Sequence, residues 1–239
     1  MASQVIRATI GKVAPHFKAN SWISSTGEFK ELSLDNFKNK WLLLFFYPLD
    51  FTFVCPTEIV EFSKQAAEFR KHNCEVVGCS IDSHFAHRKW TLEPRNIGGL
   101  GPLDIPLLAD VKKDISDKYG VLNDAGIANR GTFLIDDAQI VRHISINDLS
   151  VGRNVHEYLR LVQVTIDWFR LFNILQNMVK SALLDGQKVP PQWHPSWNLK
   201  SWIAIGKMCM EKNDHNSAED LYLTFHIILS KLWILFAFF

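Results

Sequence analysis

The sequence predicts an α/β domain built on a mixed central sheet with helices on both faces. Three observations carry that reading. Trp41-Leu-Leu-Leu-Phe-Phe-Tyr47 is an unbroken apolar run of strand length, as a strand buried on both faces requires. Pro56 to Arg70 places Ile59, Val60, Phe62, Ala66 and Phe69 on one helical face. Cys74 to Ile81 is a second apolar strand, so strand, helix and strand close a βαβ unit with a parallel pair.

The other elements follow along the chain. His84 to Leu92 reads as a helix, and Pro106 to Ala109 as a short strand bounded by Pro106 and Asp110. Thr132 to Ile135 and Gln139 to Ile144 flank Asp136-Asp-Ala138, the pattern of an antiparallel hairpin. Asn154 to Val162 reads as a closing helix, with Val155, Tyr158, Leu159 and Val162 on one side. After Gln163 the texture changes, since five of the eight tryptophans fall in the final 76 residues. Gly186 to Pro195 is turn-rich, and Leu221 to Phe239 is almost wholly apolar. Two parts are expected: residues 6–163 as the folded domain and residues 164–239 as a C-terminal tail.

Composition narrows the function classes. With 239 residues, 47% hydrophobic and 21% charged, the chain can bury a core, which excludes wholesale disorder. The 26 basic and 25 acidic residues give no electrostatic case for nucleic acid. Four cysteines without a CxxC pair are too few for a disulfide scaffold at this size. Met1 to Val13 lacks the basic start and apolar run of a secretory leader, so a reducing, cytoplasmic setting is expected. Among nine histidines only His84 and His87 form a close pair, without a carboxylate cluster. They read as surface residues, and no metal or other cofactor is expected. Cys74 and Cys79 lie five apart on one strand and face opposite sides of the sheet, as buried structural thiols. Gly98-Gly-Leu-Gly101 lacks the Lys-Ser/Thr and the strand-to-helix setting of a phosphate loop.

The segment with chemical content is Phe46-Tyr-Pro-Leu-Asp-Phe-Thr-Phe-Val-Cys-Pro-Thr-Glu58. A buried strand ends near Pro48, and Cys55 stands just before Pro56, a residue suited to the first helical position. A cysteine there meets free N–H groups and the positive end of the helix dipole, which favour a thiolate. Thr52 offers a hydroxyl to the same volume. The commoner fate of a free cysteine is to be buried and inert; helix-start position and nearby hydroxyl weigh toward reactivity.

This segment closely resembles the active-site stretch of the typical two-cysteine peroxiredoxins. The resemblance runs from about Ile10 to Gln163 and includes Val-Gly-Cys-Ser-Ile-Asp82, Gly98-Gly-Leu-Gly101, Arg130-Gly-Thr-Phe-Leu-Ile-Asp136 and Val151-Gly-Arg-Asn154. It implies a thioredoxin-like fold and a thiol peroxidase acting on hydrogen peroxide and small organic hydroperoxides, without a cofactor. Cys55 matches the cysteine that attacks the peroxide, Thr52 the hydroxyl that bonds thiolate and substrate, and Pro48 the residue that shields the pocket. Arg130 matches the guanidinium that holds the thiolate charged and polarises the O–O bond. Glu58, counted with the substrate-binding group, is better placed to orient that arginine. The resemblance further implies an external reductant such as thioredoxin, a homodimer and a possible ring of dimers.

The chain departs from that family after Gln163. The family's resolving cysteine lies in a C-terminal Val-Cys-Pro segment that this chain lacks, and Val189 stands in the nearest echo of it. Three readings of the tail stand open. Cys209 serves as a displaced resolving thiol; the tail contacts a partner or a membrane, which His226 and Lys231 weaken; or it is a poorly folded, aggregation-prone stretch. A rival for the whole protein is a non-catalytic, chaperone-like isoform acting through interaction.

Overall fold

The computed structural model describes residues 7–184. Its strands are β1 (Lys18–Ile23), β2 (Glu28–Ser33), β3 (Trp41–Phe46), β4 (Cys74–Ser80), β5 (Leu107–Ala109), β6 (Arg130–Ile135) and β7 (Val141–Asn147). The helices are α1 (Cys55–Lys64), α2 (Ala66–Lys71), α3 (His84–Leu92), α4 (Asp114–Lys118) and α5 (Val155–Leu184). The strands form one mixed sheet in the order β2-β1-β5-β4-β3-β6-β7. β3 and β5 run parallel to β4, while β6 is antiparallel to β3 and to β7.

β3 sits near the middle, and all six of its side chains are buried. Strand alternation divides them between two cores. Trp41, Leu43 and Phe45 join Tyr47, Ile59, Phe62, Phe69, Trp90 and Val162 on one face. Leu42, Leu44 and Phe46 join Val77, Leu108, Phe133 and Val141 on the other. Cys74 and Cys79 fall into opposite cores, as their odd spacing requires. Burial pushes both thiols well above the ordinary cysteine range, so they stay protonated and inert.

The helices start where the sequence supplies caps. The Ser83 hydroxyl accepts from the Ala86 amide at α3, and the Asn154 side chain accepts from the His156 amide at α5. Asp110 serves α4 from a distance, its two oxygens accepting from the Ile115 and Ser116 amides at 3.1 and 2.7 Å.

Several elements differ from the sequence expectation. The β1–β2 hairpin was not expected, because β2 is an edge strand with four of its six residues exposed and no apolar alternation to read. The helix after Cys55 is divided at Gln65, whose ψ of −1° interrupts the α-helical backbone between α1 and α2. α5 continues through Gln163 to Leu184, because Ile166 is buried in the core below Val162 and Phe169 packs beside it. The Phe169 ring meets Trp41 edge-on at 5.5 Å, and the Arg142 guanidinium lies 4.4 Å from its centre. The compact unit extends to Leu171. Among the described residues no helix is long and apolar enough to cross a membrane. Cys209, Val189 and Leu221 to Phe239 lie outside the described residues.

The surface reading of the two histidines is corrected for His87, which is fully buried, while His84 is partly buried. His87 Nδ1 lies 2.8 Å from an Asp50 carboxylate oxygen, and its Nε2 faces the Leu108 carbonyl at 3.3 Å. The other Asp50 oxygen accepts from the Tyr47 hydroxyl at 2.9 Å. Burial raises the Asp50 carboxyl above its usual range, against the lowering pull of His87. His87 stands three residues before Trp90 on α3, but only the fold shows that a buried carboxylate awaits it. Replacing His87 by leucine leaves that carboxylate short of a partner. The variant is expected to lose about 3 kcal/mol of stability, measured by urea unfolding.

Candidate active site

The site forms where chain direction brings distant segments to one end of the sheet. β3 ends at Phe46, and the chain turns through Tyr47 and buried Pro48 into the loop that leads to α1. β6 runs against β3 with Phe45 opposite Thr132. Carrying that register two residues further puts Arg130, the first residue of β6, level with Tyr47. The residues after β7 and before α5 return to the same end, which delivers Leu149 and Arg153. Carboxyl ends of central strands are the usual place for a site in an open α/β sheet.

Cys55 is the first residue of α1, with Pro56 second, one position later in the helix than a proline at its start would suggest. Its side chain is fully buried in the core. Arg130 Nη1 donates to Cys55 Sγ at 3.5 Å and to a Glu58 carboxylate oxygen at 2.8 Å. Arg130 Nε donates to the Leu149 carbonyl at 2.9 Å, so the guanidinium is held from two sides.

Glu58 comes one helical turn after Cys55 and is almost wholly buried. Its first oxygen accepts from the Arg153 backbone amide at 2.7 Å and from Arg153 Nε at 3.2 Å. Its second accepts from Arg153 Nη2 at 2.9 Å as well as from Arg130. Both carboxylate oxygens thus face arginines. Arg153 also donates to the Gly131 carbonyl and the Thr132 hydroxyl, and its guanidinium lies 5.2 Å from the Phe45 ring centre. Gly131 has no room for a side chain, since a Cβ there would meet Val121 at 2.4 Å.

One carboxylate and two guanidiniums, all buried, leave one surplus positive charge facing the sulfur. The Thr52 hydroxyl donates to the Leu49 carbonyl at 3.0 Å, which closes the turn before the helix. Pro48 is buried at the end of β3. The structure therefore joins Cys55, Glu58 and Arg130 directly and places Thr52 and Pro48 in the same turn.

Sequence reasoning missed Arg153. It lay within Val151-Gly-Arg-Asn154, but nothing local distinguishes it from a solvated arginine before a helix. Only the fold shows that the buried Glu58 carboxylate lies between two arginines.

A buried cysteine at a helix start thus faces a fixed guanidinium at the carboxyl end of a central strand of a thioredoxin-like sheet. The chain belongs to the AhpC/TSA family, whose model matches residues 10–144. It is 59% identical over 160 residues to Peroxiredoxin-2 of Bos taurus, a match covering 66% of this chain and 79% of that protein. It is 61% identical over 151 residues to the mitochondrial thioredoxin-dependent peroxide reductase of Rattus norvegicus, covering 63% and 58%. Among solved structures, reduced 2-Cys peroxiredoxin of Plasmodium vivax matches with a TM-score of 0.63 at 42% identity, over 65% of this chain and 95% of that one. AhpC of Mycobacterium tuberculosis matches with a TM-score of 0.61 at 38% identity, over 66% and 93%.

Proposed function

We propose that this protein is a thiol-dependent peroxidase acting on hydrogen peroxide and small organic hydroperoxides. The observation that carries the reading is the Arg130 guanidinium 3.5 Å from Cys55 Sγ, inside a buried charge group with a positive surplus. The Cys55 thiolate attacks one peroxide oxygen and the O–O bond breaks. The second oxygen leaves as hydroxide or alkoxide and takes up a proton. The products are a sulfenic acid at Cys55 and water or an alcohol.

Arg130 stabilises both the starting thiolate and the charge that moves onto the leaving oxygen. Its planar fork suits contact with sulfur and oxygen together. Thr52 supplies a hydroxyl beside the reacting pair, and Pro48 keeps bulk water from it. Glu58 and Arg153 act through Arg130 as positioning residues. A thiol of the reductant then condenses with the sulfenic acid, releasing water and forming a disulfide, and a second thiol frees Cys55. Thioredoxin is the reductant this reading favours, supported by the name of the rat relative. The chain works as a homodimer, with a larger ring possible through the exposed apolar side chains of Phe51 and Phe53. It works in a reducing compartment such as the cytoplasm, where its cysteines remain thiols.

Peroxide consumption is measured first with dithiothreitol and then with thioredoxin. The parent consumes peroxide with both, and Cys55→Ser consumes none. Cys74→Ser and Cys79→Ser retain activity, because their thiols are buried away from the site. A folded parent that is idle with both reductants overturns the reading.

A further inference from the structure

The turn that carries Cys55 contains a backbone conformation that its residue type disfavours. Phe51 has a φ of 56°, in the left-handed region that a bulky residue enters only when its surroundings hold it there. The chain is pinned on both sides. Asp50 is turned into the core onto Tyr47 and His87, and its amide donates to an Asp82 carboxylate oxygen at 2.9 Å. Thr52 is tied to the Leu49 carbonyl. The inversion at Phe51 reconciles an inward Asp50 with a chain that turns back toward Cys55.

A loop needing only that inversion would be best served by glycine or asparagine. Phenylalanine there means that something offsets the backbone cost. The Phe51 ring lies on Trp90, with centroids 5.5 Å apart. Trp90 is fully buried and locked in turn: its Nε1 donates to the Gly98 carbonyl at 2.9 Å, and its own carbonyl accepts from the Leu100 amide at 2.9 Å. Phe51 thus rests on a platform fixed to the glycine-rich loop.

We propose that Phe51 is a positioning residue for Cys55: its ring, seated on Trp90, holds the left-handed turn closed and keeps the sulfur enclosed against Arg130. The proposal rests on the reading of Cys55 as the peroxide-reactive residue. The ring acts on the site only through the turn.

Three variants separate backbone from ring. Phe51→Asn and Phe51→Gly accept the left-handed backbone without the ring, and Phe51→Tyr keeps the ring. Full-length reduced protein is treated with iodoacetamide at pH 9, where even an ordinary thiol of pKa ~8.5 is largely ionised, so that exposure sets the rate. Peptide mass spectrometry reads each cysteine separately. Alkylation of Cys55 is expected to rise about tenfold or more in the two ringless variants, as local opening of one segment requires. Cys74 and Cys79 stay protected in those variants, and Phe51→Tyr behaves as the parent. The ringless variants also lose peroxide reactivity by a similar factor, which Phe51→Tyr restores.

Parent-like alkylation of Cys55 in both ringless variants overturns the proposal. So does a joint rise at Cys55, Cys74 and Cys79, which marks general loosening of the fold. Alkylation needs no peroxide. A parent that does not consume peroxide therefore defeats the functional reading, while the alkylation pattern still decides the role of Phe51.

Discussion

Arg130→Met is expected to lower the rate of Cys55 with hydrogen peroxide by about 10²- to 10³-fold, the range for removing one fixed donor from a developing charge. Charge arithmetic within the buried group explains why the loss falls on reactivity more than on folding. With Arg130 gone, Glu58 still accepts from the Arg153 amide, Nε and Nη2. The carboxylate is not stranded, so the large penalty for breaking a buried pair is mostly avoided. The group becomes neutral, however, and the surplus positive charge that faced the sulfur disappears. Arg130→Lys returns the charge without the planar fork and recovers part of the rate. Single-turnover kinetics on the reduced protein measures all three, with urea unfolding alongside. A methionine variant within about threefold of the parent would remove Arg130 from the chemistry, since such a change is well under 1 kcal/mol.

Overoxidation at low peroxide is the second expected result. A sulfenic acid at Cys55 is either captured by a thiol or attacked by another peroxide, giving sulfinic acid and water. The folded domain offers no capturing thiol. Cys74 begins β4 beside Trp41, at the opposite end of the parallel pair from the Cys55 turn. Cys79 lies near the correct end but on the other face of the sheet. Both are fully buried, and sheet residues do not swing across a packed core. With only four cysteines in the sequence, capture depends on an external thiol or on Cys209 in the tail. Intact-mass spectrometry across a peroxide titration, with reductant scarce, is expected to show a gain of two oxygens per chain. A stoichiometric disulfide between Cys55 and Cys209, with little sulfinic acid, would show instead that the tail carries a working resolver.

The residues that were legible in the sequence are those whose surroundings are local. The strand at Trp41 is an apolar run whatever packs on it, and Cys55 before Pro56 announces a helix start from two adjacent residues. The resemblance carried by Phe46 to Glu58 added the expected chemistry and pointed to Arg130. Edge strand β2 escaped notice because, with four of its six residues exposed and Leu32 alone buried, it leaves no hydrophobic period. The length of α5 escaped because Ile166 and Phe169 become core residues only against β3 and its neighbours.

His87 and Arg153 show what tertiary structure alone decides. Neither residue differs locally from a solvated one, and each is polar. A polar side chain can be buried only where a partner of opposite character is buried with it. Those partners, Asp50 and Glu58, lie 37 and 95 positions away in sequence. By itself the sequence determined the parallel βαβ unit and the placement of a cysteine at a helix start. The antiparallel register of β6 on β3, and the return of the chain before α5, decided which charges that cysteine would face, because electrostatic partnership depends on distance through space and not along the chain.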